Sequence, residues 1–205
     1  MTDASTTAQP LPDEIPLFPL NMVLFPGGVL QLKLFEARYL DMAARCMREQ
    51  LPFGVCLIRE GSEVGDAALP HDFGSMARIA NWDMTQPGLL MITARGGPRF
   101  RIVERKVLPD RLQTARVAWQ PEPPAQPVPA RLEAIVPLLR AIVEDAGLED
   151  FPPLHRFDDA TWVGYRMAEV LPIPHQARLR LLELDDPISR LEIIHAFLTQ
   201  HKLID

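Results

Sequence analysis

Residues 29–34 read Val-Leu-Gln-Leu-Lys-Leu, so leucine occupies every second position and polar side chains occupy the positions between. A period of two is typical of a strand with one buried face. Residues 36–49 instead repeat apolar side chains at spacings of three and four, which predicts an amphipathic helix. The pattern near the start of the chain therefore predicts a strand followed directly by a helix.

The segments around this pair predict further short strands. Two Leu-Phe-Pro triplets, at 17–19 and 24–26, favour extended backbone because proline restricts the residue before it. Gly27-Gly28 then allows a tight turn. Glycine and proline separate the remaining apolar runs, and Gly96-Gly97-Pro98 is predicted to form a turn. The runs themselves are predicted to be strands: residues 52–58, 76–85, 89–94, 99–107 and 112–119. Short strands at this spacing indicate a compact, barrel-like sheet.

The pattern becomes helical in the last third of the chain. Residues 120–129 contain five prolines and are predicted to form a semi-rigid linker. Four helices are predicted beyond the linker: residues 131–145, 160–171, 174–184 and 187–201. The first is predicted to kink at Pro137 and to stop at Gly147, and Asp158 or Asp159 is predicted to cap the second. We therefore predict a β-barrel domain (1–120), a proline-rich linker (121–130) and a helical bundle (131–205).

Charge is distributed unevenly. Residues 1–120 carry 13 acidic and 13 basic side chains and residues 121–205 carry 14 and 8, so the net charge of −6 belongs to the second part. Nucleic acid is an unfavourable partner for an acidic surface. The first 14 residues do not resemble a secretory signal, and no apolar run is long enough to span a membrane. We expect a cytoplasmic protein without a membrane partner.

The residues that usually carry chemistry are sparse. Cys46 and Cys56 fall in a predicted helix and a predicted strand, which favours buried reduced thiols over a catalytic or redox role. No two of the five histidines are four residues apart, and structural or exposed roles are favoured over metal binding or acid–base work. Nucleotide-binding, nucleophile-elbow and zinc-protease motifs are absent. We predict no cofactor, no metal and no catalytic residue.

Several segments, taken in order, resemble one known family. They are the opening stretch 15–42, Phe-Gly-Val-Cys-Leu-Ile at 53–58, Phe-Gly-Ser-Met-Ala-Arg-Ile at 73–79, Gly-Gly-Pro-Arg-Phe-Arg-Ile at 96–102 and the helical part 162–198. Together they resemble the N-terminal substrate-binding domain of the ATP-dependent Lon proteases. The resemblance implies an α+β fold, a PUA-like six-stranded β pseudo-barrel with one early helix, followed by a C-terminal α-helical bundle. Gln31 stands where the family often has proline.

The resemblance also implies a function. Full-length Lon proteases add an ATPase module and a Ser-Lys protease module, whose motifs this sequence lacks, so the chain is predicted to be a stand-alone member and not an enzyme. We expect a binding module for unfolded or extended polypeptides, acting alone or as an adaptor in protein quality control, with other proteins as further partners. RNA binding by a PUA-like domain is the alternative, and a small-molecule pocket or an unrecognised hydrolase is a third. A homodimer is also considered, without a residue-level argument.

Strand alternation predicts one candidate binding surface. Arg78, Trp82 and Met84 would share one strand face and Arg99, Arg101 and Arg105 another, with Arg95 beside the turn that joins them. Arginine and tryptophan are frequent anchors at protein interfaces. The candidate surface accordingly consists of Arg78, Trp82, Arg95, Arg99 and Arg101. The alternative is an ordinary solvated barrel exterior. An exposed strand edge could also bind an extended peptide by strand addition, unless the proline-containing segments near Pro19 and Pro26 block that edge.

Overall fold

A computed structural model describes residues 10–146 and 155–204 of the chain. The strands are β1 (Glu14–Leu20), β2 (Val29–Leu34), β3 (Phe53–Glu60), β4 (Leu69–Gln86), β5 (Leu89–Val107) and β6 (Gln113–Trp119). The helices are α1 (Ala37–Glu49), α2 (Ile135–Ala146), α3 (Ala160–Val170), α4 (His175–Glu183) and α5 (Pro187–Gln200). A short 3-10 turn (Ala130–Leu132) precedes α2. The predicted strand, early helix and four later helices are confirmed.

Five of the six strands form a closed ring, and β2 pairs with β5 outside that ring. The strand order is β2-β5-β4-β3-β1-β6, and β6 also pairs with β5. All pairs are antiparallel except β1 with β3. Strand β5 is long enough to hold two neighbours on one edge, with β2 along Leu90–Arg95 and β6 along Phe100–Val107. The pairing of β6 with β5 therefore closes the ring, and β2 is an additional strand that pairs only with β5.

The turn predicted at 96–98 is wrong, because β5 runs through these residues as one strand. The ladder with β4 shifts register there, between the Ser75–Arg99 and Ala77–Gly96 pairs. At Gly96 a Cβ would clash with the backbone carbonyl of Phe25, so glycine serves a close approach between neighbouring backbones. The glycines and proline bend the strand without ending it.

The kink predicted at Pro137 is also wrong. Helix α2 begins at Ile135, so Pro137 lies in its first turn, where a backbone N–H has no partner within the helix. Asp159 caps α3 by accepting from the Thr161 N–H at 2.9 Å, as predicted for one of two candidate residues. Gly147, the predicted stop of α2, lies outside the described residues.

Three hydrophobic cores hold the molecule together. Two of them belong to the strands and α1, one around Phe53 and the other around Phe100. The third fills the helical part and includes Val23, Phe25, Leu57 and Phe73 from the strand part. The helices therefore bury the outer wall of the sheet as well as each other. The boundaries 1–120, 121–130 and 131–205 stay a prediction.

A buried arginine and a partly buried glutamate strengthen the contact between the helical part and the strand part. Arg166 of α3 is fully buried and donates to the Pro26 carbonyl at 2.8 Å and to Glu169 at 3.0 Å. Gly27 has a φ of 76°, and a Cβ at Gly28 would clash with Glu169, so the Gly-Gly turn fits closely under α3. Within the ranges described, no helix is both long enough and apolar enough to cross a membrane.

Candidate functional site

Among the described residues, the pairing pattern leaves parts of two strand edges without a neighbouring strand. Strand β6 pairs with β1 only along Glu14–Leu17. Within residues 10–146 and 155–204, the rest of β1, to Leu20, has β3 on one side and no strand on the other. In the same part of the chain, β2 has β5 on one side and no strand on the other. Unpaired edges of this kind offer backbone hydrogen bonds to an added strand.

A cavity of about 240 Å³ lies between these two edges. Its walls combine Phe18 and Leu20 of β1 with residues 31–34 of β2. Tyr39 of α1 lies at its inner side, with its ring centroid 4.1 Å from that of Phe18. At the mouth Phe35 and Val64 are each more than half exposed. The lining is mixed, because the apolar side chains lie beside the polar residues Gln31, Lys33, Glu36 and Glu63. We call this cavity the edge groove.

The hydrogen-bond ladder shows which backbone groups of β2 face the edge groove. The Gly96 N–H donates to the Gly28 carbonyl at 2.9 Å, so position 28 bonds to β5. In antiparallel pairs, bonded and non-bonded positions alternate along the strand. The backbone N–H and C=O groups of residues 30, 32 and 34 therefore point towards β5. The backbone N–H and C=O groups of Gln31 and Lys33 point away from β5, towards the edge groove. Both of these side chains are exposed.

Both carboxylates that line the edge groove, Glu36 and Glu63, accept hydrogen bonds. Glu36 accepts from Arg38 at 2.9 Å, and Arg38 also donates to the Arg111 carbonyl at 3.2 Å. Glu63 accepts from the Asn21 N–H at 2.5 Å. Burial raises the pKa of the Tyr39 hydroxyl, and the neighbouring Arg38 opposes that rise. The edge groove therefore presents a neutral tyrosine, two carboxylates that accept hydrogen bonds and the side chain of Lys33.

A second and larger cavity, of about 460 Å³, lies in the helical part. It runs between α4 and α5, and we call it the helical groove. Apolar side chains dominate its lining: Leu171, Ile173, Ala177, Leu181, Leu184, Ile193, Ile194 and Phe197. Arg180 and Glu183 are the two charged residues of the lining. No strand borders this groove, so it offers shape and apolar surface without an open backbone ladder.

The predicted arginine and tryptophan surface does not form as one patch. Arg78 pairs directly with Arg95, whereas Trp82 pairs with Ile92. Arg95 is exposed and Ile92 is buried, and they occupy opposite faces of β5 because they lie three residues apart in a regular stretch. A register shift in β4 between Ile79 and Asn81 changes which face of the sheet the following side chains occupy. Trp82 therefore lies on the face opposite Arg78, and their predicted common face is wrong.

Arg99 is not part of any exposed surface. Its side chain is 1% exposed and donates to the carbonyls of Leu182 and Leu184 at 3.0 and 3.1 Å. It also donates to the Pro121 carbonyl at 3.2 Å and to Asp185 at 3.0 Å. The prediction of an exposed Arg99 is wrong, because strand alternation cannot show which face a helix will cover. The residue joins β5 to the C-terminal end of α4.

Arg101 and Arg105 complete the predicted set. Arg101 is exposed, and its guanidinium lies 5.3 Å from the centre of the Phe73 ring. Arg105 is separated from it by a register shift after Ile102 and donates to Gln113. The structure thus brings together Arg78 and Arg95 alone, and it leaves Trp82, Arg99 and Arg101 at separate places.

The cysteines are free and buried, as predicted. Burial raises the pKa of the Cys46 thiol to about 11 and raises that of Cys56 further. Both thiols are therefore protonated at neutral pH, a state that disfavours nucleophilic attack. No group of three or more His, Cys, Asp and Glu side chains able to hold a metal ion occurs in the described part of the chain.

Comparison with known proteins identifies the family. The family model "ATP-dependent protease La (LON) substrate-binding domain" matches residues 14–200. The Lon protease of Paraburkholderia phytofirmans is 28% identical over 201 residues, 93% of this chain, and Lon protease 2 of Myxococcus xanthus is 30% identical over 96 residues, 46% of this chain. The chain belongs to the Lon substrate-binding domain family.

Solved structures agree with this assignment. A Lon N-terminal domain protein from Xanthomonas campestris is 35% identical, with a TM-score of 0.74 over 89% of this chain and 97% of that one. The N-terminal domain of the Lon protease of Mycobacterium avium complex shares the fold at 17% identity, with a TM-score of 0.64 over 92% of this chain and 99% of that one. The match covers 25% of the Paraburkholderia protein and 12% of the Myxococcus protein.

Sequence reasoning considered strand addition at an exposed edge but did not locate the edge groove, which joins residues far apart in the chain. One signal pointed to it. The sequence has Gln31 where the family often has proline, so this strand edge keeps an N–H group that proline would lack. The helical groove left no comparable signal, because its lining repeats the apolar spacing of any packed helix.

Proposed function

We propose that this chain is a substrate-recognition module that binds extended polypeptide segments in the edge groove. Membership of the Lon substrate-binding domain family supports the general role. The observation that carries the specific proposal is the cavity between two unpaired strand edges. A peptide in extended conformation would pair with the β2 edge and lie against β1, whose unpaired part contains Pro19 and therefore lacks an N–H at that position.

The chemistry of the groove favours segments with alternating apolar side chains. In an added strand every second side chain would point inward, towards Phe18, Leu20 and Tyr39. Phe35 and Val64 at the mouth would lose contact with water as the segment binds. Such segments are buried in folded proteins and exposed in unfolded ones. The groove would therefore distinguish unfolded chains from folded chains without a sequence-specific contact.

The absence of ATPase and protease motifs in the sequence supports a role in binding without catalysis. We propose that the module acts as an adaptor that presents unfolded polypeptides to other proteins. The cytoplasmic location stays a prediction. RNA binding is not proposed, because Arg99, one of the arginines on which it depended, is buried against α4.

Binding can be tested by fluorescence anisotropy with a labelled peptide of about ten residues that alternates leucine or phenylalanine with polar residues, a length suited to one strand. We expect dissociation constants of roughly 1–50 μM, the range of weak, small interfaces. A reduced and alkylated protein that cannot refold should compete, and its native form should not. Failure of both ligands to bind a folded chain at about 100 μM would contradict the proposal.

Two substitutions at one position test the backbone contact. Gln31→Pro removes the N–H that faces the groove and leaves the β5 ladder intact, since proline is tolerated on the free side of an edge strand. Gln31→Ala removes the same side chain and keeps the N–H. We expect roughly three- to tenfold weaker binding for Gln31→Pro, the value of about one hydrogen bond, and unchanged binding for Gln31→Ala. Equal effects would show that the peptide does not use the β2 edge.

A further inference from the structure

The helical groove lies beside the hydrophobic core of the helical part and remains open to solvent. Helices α4 and α5 already bury Leu179, Leu191 and Leu198 in the shared core. Leu181 and Ile194 of that core also form the floor of the groove, and Ile193 beside them is 52% exposed. Exposed apolar surface that is bordered by charge is a feature of interaction sites.

The charges near the groove show what kind of partner fits it. Most charged groups of this helix pair already have a partner. Arg178 donates to the Leu171 carbonyl at 2.9 Å, Asp185 accepts from Arg99, and Asp186 caps α5 through the Ser189 N–H at 2.8 Å. On α5, Arg190 donates to the Leu181 carbonyl at 2.9 Å, and Glu192 pairs with Arg131.

Arg180 and Glu183 are different. Both line the groove, and neither takes part in an ion pair or a side-chain hydrogen bond with another described residue. They are of opposite sign and three residues apart, so they lie close together on one face of α4. The groove therefore carries one free positive and one free negative charge along a single helix.

We infer that the helical groove is the contact surface for a second copy of this chain. If two α4 helices pack antiparallel about a two-fold axis beside Leu181, Arg180 of each copy faces Glu183 of the other. An isologous contact requires a self-complementary surface of this type. A partner of uniform charge would satisfy only one of the two residues. The exposed Ile193 of each copy enters the apolar groove of the other.

The size of the surface sets the expected strength. Helix α5 has 14 residues and is about 21 Å long at 1.5 Å per residue. Two helices side by side, about 10 Å apart, present roughly 400 Å² per copy. This area lies below that of a typical stable interface of about 800 Å² per partner, so the dimer is weak. The expected dissociation constant is on the order of 10–100 μM.

Sedimentation velocity of the full chain over about 1–300 μM spans this range and tests the inference. We expect the mean mass to rise from monomer towards dimer for the wild type. Ile193→Glu should stay monomeric over the same range with an unchanged unfolding transition, because the side chain lies at the surface. A wild-type chain that remains monomeric overturns the inference and leaves the groove to a helix of another protein.

Two charge variants test the antiparallel arrangement itself. Arg180→Glu and Glu183→Arg each place like charges opposite one another in a homodimer, so each alone should associate at least tenfold more weakly. An equimolar mixture of the two should regain association close to that of the wild type, because the heterodimer restores opposite charges at both contacts. Like-charge repulsion within α4 is present in both variants and is not relieved by mixing. A mixture that associates no better than its components overturns the arrangement.

This association does not use the edge groove, so the two proposals can fail separately. Peptide binding should be unchanged by Ile193→Glu, and dimer formation should be unchanged by Gln31→Pro. Each variant serves as the matched control for the other site. Loss of peptide binding in Ile193→Glu would contradict the separation of the two surfaces.

Discussion

Strand β5 contains two regions that carry arginine on the same backbone and use it in opposite ways. In the first region Arg95 is exposed and lies between β2 and β4. Four residues later Arg99 is buried and donates to carbonyls of Leu182 and Leu184 near the end of α4. The difference arises from what lies over each region, solvent in one case and the helical part in the other. Side-chain identity therefore does not show whether an arginine recognises a partner or holds the fold together.

The largest effect is expected at Arg99, in the region of β5 that the helical part covers; we call it the covered region. Arg99→Ala should lower the free energy of unfolding by about 3–5 kcal/mol, because it leaves several buried carbonyls without a donor. Urea denaturation followed by circular dichroism measures this. Arg95→Ala is the matched control and should change stability by less than about 0.5 kcal/mol. Similar losses for the two variants would remove the contrast between the regions.

The second effect concerns the pH dependence of another contact between the strand part and the helical part, the one that Arg166 and Glu169 of α3 make with the Gly27-Gly28 turn. Burial raises the pKa of the Glu169 carboxyl to about 7, and Arg166 and Arg178 oppose the rise. Between the ordinary glutamate pKa and 7, the folded chain holds a proton that the unfolded chain has lost, so stability falls as the pH rises. Relative to Glu169→Gln, the wild type should lose on the order of 2 kcal/mol between about pH 4.5 and 8.

Urea denaturation at several pH values measures this difference. Glu169→Gln removes the titrating group and should be less sensitive to pH over this window. Parallel pH profiles for the two proteins would show that Glu169 titrates normally in the folded state.

A smaller effect is expected where the covered region reaches the surface. Arg101 lies over the Phe73 ring and is exposed. Arg101→Gln should lower the free energy of unfolding by about 0.5–1 kcal/mol, because it removes an exposed cation–π contact and keeps a polar side chain. Arg101→Lys keeps the charge and should lose less. The thermal unfolding midpoint in low salt measures both, and equal losses would assign the effect to packing instead of charge.

The smallest effect is expected in the exposed region. Arg78 and Arg95 are directly opposite each other, and like charges at this distance are unfavourable. Arg95→Glu should therefore raise the free energy of unfolding by about 0.2–0.5 kcal/mol, and salt should reduce the gain. Arg78→Glu is the contrasting variant, because Arg78 also donates to the Gln50 carbonyl at 2.7 Å. A gain of equal size in both variants would show that this hydrogen bond contributes nothing.

The sequence alone determined the local elements of this protein. Alternating leucines specify β2, and the apolar spacing of residues 36–49 specifies α1, since each pattern fits only one backbone period. Asp186 followed by Pro187 marks the start of α5 because cap chemistry is local. The order of the quoted motifs was sufficient to indicate the family and with it the α+β class.

Only the tertiary structure decided which faces are exposed and where the grooves lie. The bulge after Ile79 moves Trp82 to the opposite face, and such register shifts depend on the partner strand. The burial of Arg99 depends on the end of α4, where its partner Leu182 lies 83 positions away in the chain. The edge groove likewise requires β1 and β2 to face each other across a gap that β6 does not fill. Contacts between distant segments create these features, and no periodicity within one segment encodes them.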